Sequence, residues 1–296
     1  MRGLQKLFCW LPYRLALFVG ACLAALAFHV IRFRVREAQR RIRWVVGDRV
    51  SPRAVRRMAW ISLRNLFFNG VEIMRFPKMD RQWVETHIDT QTVEKLLDHA
   101  ATKRGAVLAV PHLGNWDLAG VGASLVGVPI FFMARRQKNP LTDALLNQMR
   151  GATGVETILT DSGGALRKVI RNLNDGKVFA MLPDVRARET GIQVPFLGGD
   201  AALATGMELF SRRADVPIFP AFAVREGWTR HRWQVLDPVY PNPELSREAD
   251  QQRIMREVMA LFDQVIREHP EQYFWYNKRW ILDPLKSARP ASAAGG

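Results

Sequence analysis

Residues 105–117 read Gly-Ala-Val-Leu-Ala-Val-Pro-His-Leu-Gly-Asn-Trp-Asp. The apolar run 106–110 is a short strand, and 116–125 follows it as a helix. The same alternation continues outward. Strands are expected at 129–134, 178–182, 218–224 and 231–235, and helices at 141–151, 164–174 and 202–214, with a long charged amphipathic helix over 247–269. Short apolar strands separated by helices predict an α/β fold, a mostly parallel central sheet flanked by helices.

Upstream, residues 15–31 run for 17 positions without a formal charge, LALFVGACLAALAFHVI, between Arg14 and Arg32. At 1.5 Å per residue such a helix reaches about 25 Å, slightly short of a roughly 30 Å hydrocarbon core, so spanning and partial insertion both stay open. Ala25-Leu26-Ala27 offers a signal-peptidase site as the rival reading. Arg32, Arg34, Arg36, Arg40, Arg41 and Arg43 stand immediately beyond the run. A dense positive cluster in that place favours a retained membrane-anchoring helix with the bulk of the chain on the cytoplasmic side. Residues 50–76 predict a second helix, with Ser51-Pro52 as N-cap and N1. Its arginines and aromatics suit either an anionic membrane surface or ordinary packing.

The 296 residues carry 43 Lys+Arg against 28 Asp+Glu, a formal charge of +15. That excess implies acidic partners, among them anionic membrane lipid. No helix-turn-helix, zinc finger or RNP-type motif supports nucleic acid. The two cysteines, Cys9 and Cys22, exclude a disulfide scaffold and a Cys/His metal cluster. No metal or tightly held cofactor is indicated.

In one helix, His112 and Asp117 would lie about 140° apart. They meet only if the chain turns between them, which Gly114-Asn115 permits. Asp117 then falls in a first helical turn, where the dipole favours a carboxylate. A carboxylate bonded to one imidazole nitrogen leaves the other as a base. The plainer alternative is a loop histidine and a capping aspartate without chemical roles.

His112-Leu-Gly-Asn-Trp-Asp117 resembles the HxxxxD/E motif of glycerolipid acyltransferases. The Gly-Asn-Trp insert is closest to the lipid A biosynthesis (lauroyl/myristoyl, late) acyltransferases and the related phosphatidylinositol mannoside acyltransferases. Further blocks follow in the family's order. They are GVPIFFMAR at 127–135, Arg135-Arg136-Gln-Lys-Asn139-Pro140, Leu182-Pro183-Asp184, Val194-Pro195-Phe196-Leu197-Gly198, Ala204-Thr205-Gly206 and Val216-Pro217-Ile-Phe-Pro220. The segment His269-Pro270-Glu271-Gln272-Tyr273-Phe274-Trp275 resembles the family's "PEQY-W". The resemblance covers nearly the whole chain.

It divides the chain into an anchor and basic juxtamembrane segment (1–45), an acyltransferase domain (46–285) and a loose tail (286–296). It implies acyl transfer from a thioester, on acyl carrier protein or CoA, to a hydroxyl of a lipid A precursor-type glycolipid at the inner membrane, on its cytoplasmic face. His112 would act as general base and Asp117 would orient it, with no Ser or Cys nucleophile; the sequence accordingly lacks a G-x-S-x-G elbow. Backbone amides around Gly114-Asn115 are candidate oxyanion donors. Asn115, Arg135, Arg136, Asn139 and Asp184 are the substrate-binding candidates. The two arginines suit phosphate, or are simply solvated. Asp184 would bind a sugar hydroxyl or pair with an arginine, and Arg186 and Glu189 on the same loop are weaker candidates. Phe131, Phe132, Phe196 and Leu197 are available to line an acyl groove or to fill the core, and Tyr273 and Trp275 read as packing aromatics.

Asp117 stands where most lipid A enzymes carry Glu, and residues 185–191 do not reproduce the family's acidic/Gly pattern. Phosphatidylinositol mannoside or another glycolipid therefore stays open as acceptor. A basic membrane-binding protein without catalysis is the reading from another class.

Overall fold

The structure, a computed structural model, describes residues 2–134, 154–161, 163–187 and 190–283. Arg135, Arg136, Asn139, Glu189, the expected helix at 141–151 and the tail lie outside the described residues.

Helices α1 (Arg2–Trp10), α2 (Tyr13–Ala25), α3 (Val35–Val46) and α4 (Pro52–Arg75) form the N-terminal part. The start of α4 follows its sequence: Ser51 Oγ accepts the Ala54 amide at 3.2 Å, and Pro52 takes the first helical position. Its 24 residues bury Val55, Ala59, Leu63, Phe68 and Val71, so α4 is a packed core helix. Helix α2 continues through a π turn, Leu26–Val30, and packs Ala16, Leu17, Gly20 and Ala24 inward, with α4 its principal neighbour. Leu15, Phe18, Leu23, Leu26, Val30 and Ile31 stay exposed. Among the described residues, Tyr13–Val30 is the one helical stretch long and apolar enough to cross a membrane, with a third of it buried.

Helices α5 (Arg81–His87) and α6 (Glu94–Ala101) lie on either side in sequence of the first strand of the sheet, β1 (Ile88–Asp89); the other strands are β2 (Ala106–Ala109), β3 (Ile130–Ala134), β4 (Glu156–Leu159), β5 (Val178–Met181), β8 (Ile218–Glu226) and β9 (Arg230–Val235). Their order is β1-β9-β8-β2-β5-β3-β4, and only β8 and β9 pair antiparallel. Helix α7 (Trp116–Leu125) connects β2 to β3. Strand β2, buried at every residue, is central, which is why it reads as an unbroken apolar run rather than an alternating one.

One expectation is overturned. Residues 202–214 do not form a single helix. A small hairpin, β6 (Ile192–Phe196) and β7 (Gly199–Leu203), takes the first part, and the helix starts at Met207. Leu197 and Gly198 both have positive φ, 54° and 81°, closing a two-residue hairpin loop of the I′ kind. Tertiary pairing overrides the helix preference of the alanines in β7.

Candidate active site

Parallel neighbours β2 and β5 are in register, with Ala109 opposite Met181. His112 lies three residues beyond the first and Asp184 three beyond the second. The topology therefore delivers both side chains to one place at the C-terminal edge of the sheet, the usual ligand-bearing edge of an α/β fold. The Asp184 carboxylate grips His112 twice. One oxygen faces Nδ1 at 2.8 Å, and the other accepts the His112 backbone amide at 2.9 Å. Tyr273 makes a side-chain hydrogen bond to the same carboxylate. The Asp184 side chain is fully buried, while that of His112 keeps 20% of its surface exposed.

This geometry changes the expected pairing. The orienting hydrogen bond on Nδ1 goes to Asp184, which the sequence reading assigned to substrate, and Asp117 acts on the ring through its charge. Burial by itself would lower the His112 pKa. The Asp184 charge and hydrogen bond, with Asp117 adding to them, outweigh burial and raise it above the ordinary 6.5. With a proton on Nδ1 donated to Asp184, Nε2 carries the lone pair. The ring packs edge-on against Trp116, centroids 5.0 Å apart, and lies 6.3 Å from Phe274.

Trp116 and Asp117 also line an apolar cleft of about 360 Å³. Its other walls include Val110 of the loop after β2, Phe132 and Met133 of β3, Phe179 of β5, and Phe210. Of the expected groove residues, Phe132 is in the wall, and Phe131 stacks behind it on Phe179 at 5.2 Å. Phe196 and Leu197 are buried core residues of the hairpin, outside that wall.

The turn after His112 is held from below. Gly114 has φ +61°, and a Cβ there would collide with the Ala223 carbonyl, so only glycine fits. Its amide is committed to the Gln272 carbonyl at 2.9 Å, which removes it from the candidate oxyanion donors. Its carbonyl accepts Asn69 Nδ2 at 2.6 Å. Asn115 is fully buried; its Oδ1 caps α7 at the Leu118 amide (3.0 Å) and its Nδ2 donates to Glu72 (2.5 Å). Both ends of the Asn115 amide are thus engaged in building the loop. Residues 272–274 run along the same loop, with Phe274 donating its amide to the His112 carbonyl at 2.9 Å. This is the structural role of the "PEQY-W" segment. Trp275 is buried packing, as its type suggests, whereas Tyr273 reaches Asp184.

Beneath the turn lies a charge knot that sequence reasoning missed. Glu72, fully buried, receives two hydrogen bonds from the Arg225 guanidinium (2.7 and 2.6 Å) and one from the Tyr13 hydroxyl (2.5 Å). His231 Nε2 lies 3.2 Å away. Burial would raise the Glu72 pKa, but Arg225 and then His231 pull it far below the usual carboxylate range. Burial and the Arg225 charge keep His231 low. Tyr13 belongs to α2, so the apolar N-terminal helix is hydrogen-bonded into the support of the His112 loop. The signal was present only as a lone Glu in an apolar helical face, opposite an Arg ending a distant strand.

An α/β protein with a histidine–carboxylate pair beside an apolar cleft is the class these features define. Relatives narrow it. Residues 2–281 match the family described as bacterial lipid A biosynthesis acyltransferase, and the chain belongs to that family. It is similar to a phosphatidylinositol mannoside acyltransferase of Mycolicibacterium smegmatis, 26% identical over 215 residues, 72% of this chain and 68% of that protein. The protein of the same name from Mycobacterium tuberculosis (strain CDC 1551 / Oshkosh) is 26% identical over 225 residues, 74% and 68% of the two chains. A lipid A biosynthesis acyltransferase of Haemophilus influenzae is 26% identical over 188 residues, 62% and 56%.

Proposed function

We propose that the chain moves a fatty acyl group from an acyl thioester, carried by acyl carrier protein or CoA, to a hydroxyl of a lipid A precursor-type glycolipid. The observation that carries this reading is His112, fixed through Nδ1 by a buried carboxylate at the edge of an apolar cleft. Nε2 takes the proton of the acceptor hydroxyl as its oxygen attacks the thioester carbonyl. The Asp184 carboxylate stabilises the imidazolium, and the Asp117 charge acts in the same sense. Collapse of the tetrahedral adduct breaks the carbon–sulfur bond, and the departing thiolate recovers the proton from Nε2. The cleft takes the acyl chain, since its lining is mostly aromatic and aliphatic, with Asp117 and Thr205 as its polar side chains.

The exposed apolar face of residues 15–31, followed by the arginines of 32–43, supports insertion into an anionic inner membrane from its cytoplasmic side. A second acceptor reading, phosphatidylinositol mannoside, is favoured by the two mycobacterial-type relatives and by Asp rather than Glu at position 117.

The test is acyl transfer by the purified protein from acyl-CoA and acyl carrier protein thioesters to each glycolipid, with products identified by mass spectrometry. His112→Ala should lower turnover at least about 10²-fold. Near-normal transfer by that variant rejects the mechanism, and transfer to neither glycolipid rejects the acceptor class.

A further inference from the structure

A second cavity, of about 250 Å³, shares none of the cleft's lining residues. Asp184, Tyr273 and Phe274 form one side of it, and His112 packs near Phe274 here and near Trp116 in the cleft. The imidazole therefore stands at the border of two spaces of different character. Three cations, Arg186, Lys278 and Arg279, line the second one, with Asn277 and Trp280. The acid in its wall, Asp184, is already engaged by His112 and Tyr273. Nearby Asp283 accepts the Trp280 amide at 2.8 Å.

The cationic loop is held in shape by arginines of the juxtamembrane helix. Arg41 donates to the carbonyls of Trp275 and Asn277, both at 2.7 Å, and its guanidinium lies 5.2 Å from the centre of the Trp280 ring. Arg34 donates to the Lys278 carbonyl at 3.1 Å, and Arg186 Nε donates to the Asp283 carbonyl at 2.7 Å. These bonds consume backbone carbonyls, the acceptors that would otherwise offset the positive charge. What remains is a pre-shaped concavity whose charged groups are mostly donors, the chemistry that recognises a phosphate ester.

We propose that this cavity binds the phosphate ester of one of the two substrates and so places that substrate's reacting atom at His112. The binding half of the claim stands on the cavity alone; the placing half rests on the acyl-transfer reading. Two sources carry the same chemistry: the phosphopantetheine arm of the donor and the phosphorylated headgroup of the acceptor.

The purified full chain, in phosphatidylcholine nanodiscs, is titrated calorimetrically with coenzyme A and with glucosamine 1-phosphate. Pantetheine and glucosamine are the phosphate-free partners. Lys278→Gln with Arg279→Gln should weaken one phosphate probe at least about tenfold and leave its phosphate-free partner unchanged. The probe that weakens names the source. The charge-conserving pair, Lys278→Arg with Arg279→Lys, should retain most of the affinity, which separates charge recognition from loss of fold.

In steady state the Gln pair should raise KM for the same substrate about tenfold and leave kcat within twofold. Binding of neither probe by the wild-type protein, or equal affinities in wild type and the Gln pair, overturns the proposal. In a parallel vesicle-binding assay, weaker binding of the Gln pair to phosphatidylglycerol vesicles, with the affinities for both soluble phosphate probes unchanged, overturns it in favour of general membrane contact. Absent acyl transfer by the wild-type protein rejects the enzymatic reading, while the titration still decides the cavity. Transfer with unaltered KM values rejects the cavity and leaves that reading intact.

Discussion

Replacing Asp184 by Asn separates the two carboxylates that act on His112. In the native site one carboxylate faces Nδ1–H at 2.8 Å, accepts the His112 amide at 2.9 Å and bonds the Tyr273 hydroxyl. An amide of the same shape has one acceptor oxygen and an NH₂ that must face one of these donors. Where NH₂ meets Nδ1, the ring has to present a lone pair there and carry its proton on Nε2, the nitrogen that should be the base. Where the oxygen stays on Nδ1, the imidazolium formed in the reaction loses its buried counter-charge. An analogous Asp→Asn change in Ser-His-Asp enzymes costs about 10⁴ in kcat. Here a loss of about 10³- to 10⁴-fold is expected, about 4–5.5 kcal/mol of transition-state stabilisation. The unsatisfied buried donor should also cost about 1–3 kcal/mol of stability. The assay is transfer of a radiolabelled acyl chain at saturating substrates, with near-ultraviolet circular dichroism checking the fold. A folded Asp184→Asn protein with kcat within tenfold of wild type refutes the assignment.

Other perturbations test the surrounding parts. Glu72→Gln leaves Arg225 buried without its counter-charge and should destabilise the fold by about 3–5 kcal/mol, read as a fall in melting temperature. Because the Glu72 pKa is depressed, its contribution is full above the ordinary 4.5 and fades as pH falls below it, so the gap between wild type and variant should narrow in acid. Tyr13→Phe removes the hydroxyl bound to Glu72 and should lower kcat several-fold with vesicle binding unchanged; unaltered kcat would show that the N-terminal helix does not steady the loop. Gly120 lines the cleft, and a Cβ there meets nothing within 4 Å. Gly120→Leu should therefore shift acyl preference to shorter chains without loss of stability, since leucine also favours the helix by about 0.8 kcal/mol. Unchanged chain-length preference would take the acyl chain out of this cleft.

The fold was legible wherever local pattern and final environment agree. Strand 106–110 and helix 116–125 emerge within a residue of their expected bounds, because an apolar run between turn residues has one comfortable place in a parallel sheet. Residues 202–203 misled because alanine's helix preference lost to pairing with β6, a partner that periodicity does not reveal. The site divides similarly. His112 and Asp117 were visible as a motif, and Asp184 as a polar residue ending a strand. That Asp184 meets His112 depends on β2 and β5 being neighbours in register, which strand order decides and sequence spacing does not. The Glu72–Arg225 pair, separated by 153 residues, is hidden for the same reason.

The central claim is that a neutral His112, its basicity raised by Asp184, takes the proton from the acceptor hydroxyl. The pH dependence of kcat/KM tests it most directly. As base, the ring must be unprotonated, so the rate should rise with pH through a single limb whose midpoint lies above 6.5. Removing the Asp184 charge leaves burial as the leading influence, so in Asp184→Asn the midpoint should move down, and further than in Asp117→Asn. A profile that is flat from about pH 5.5 to 8.5, or a limb that survives unchanged in His112→Ala, would contradict it.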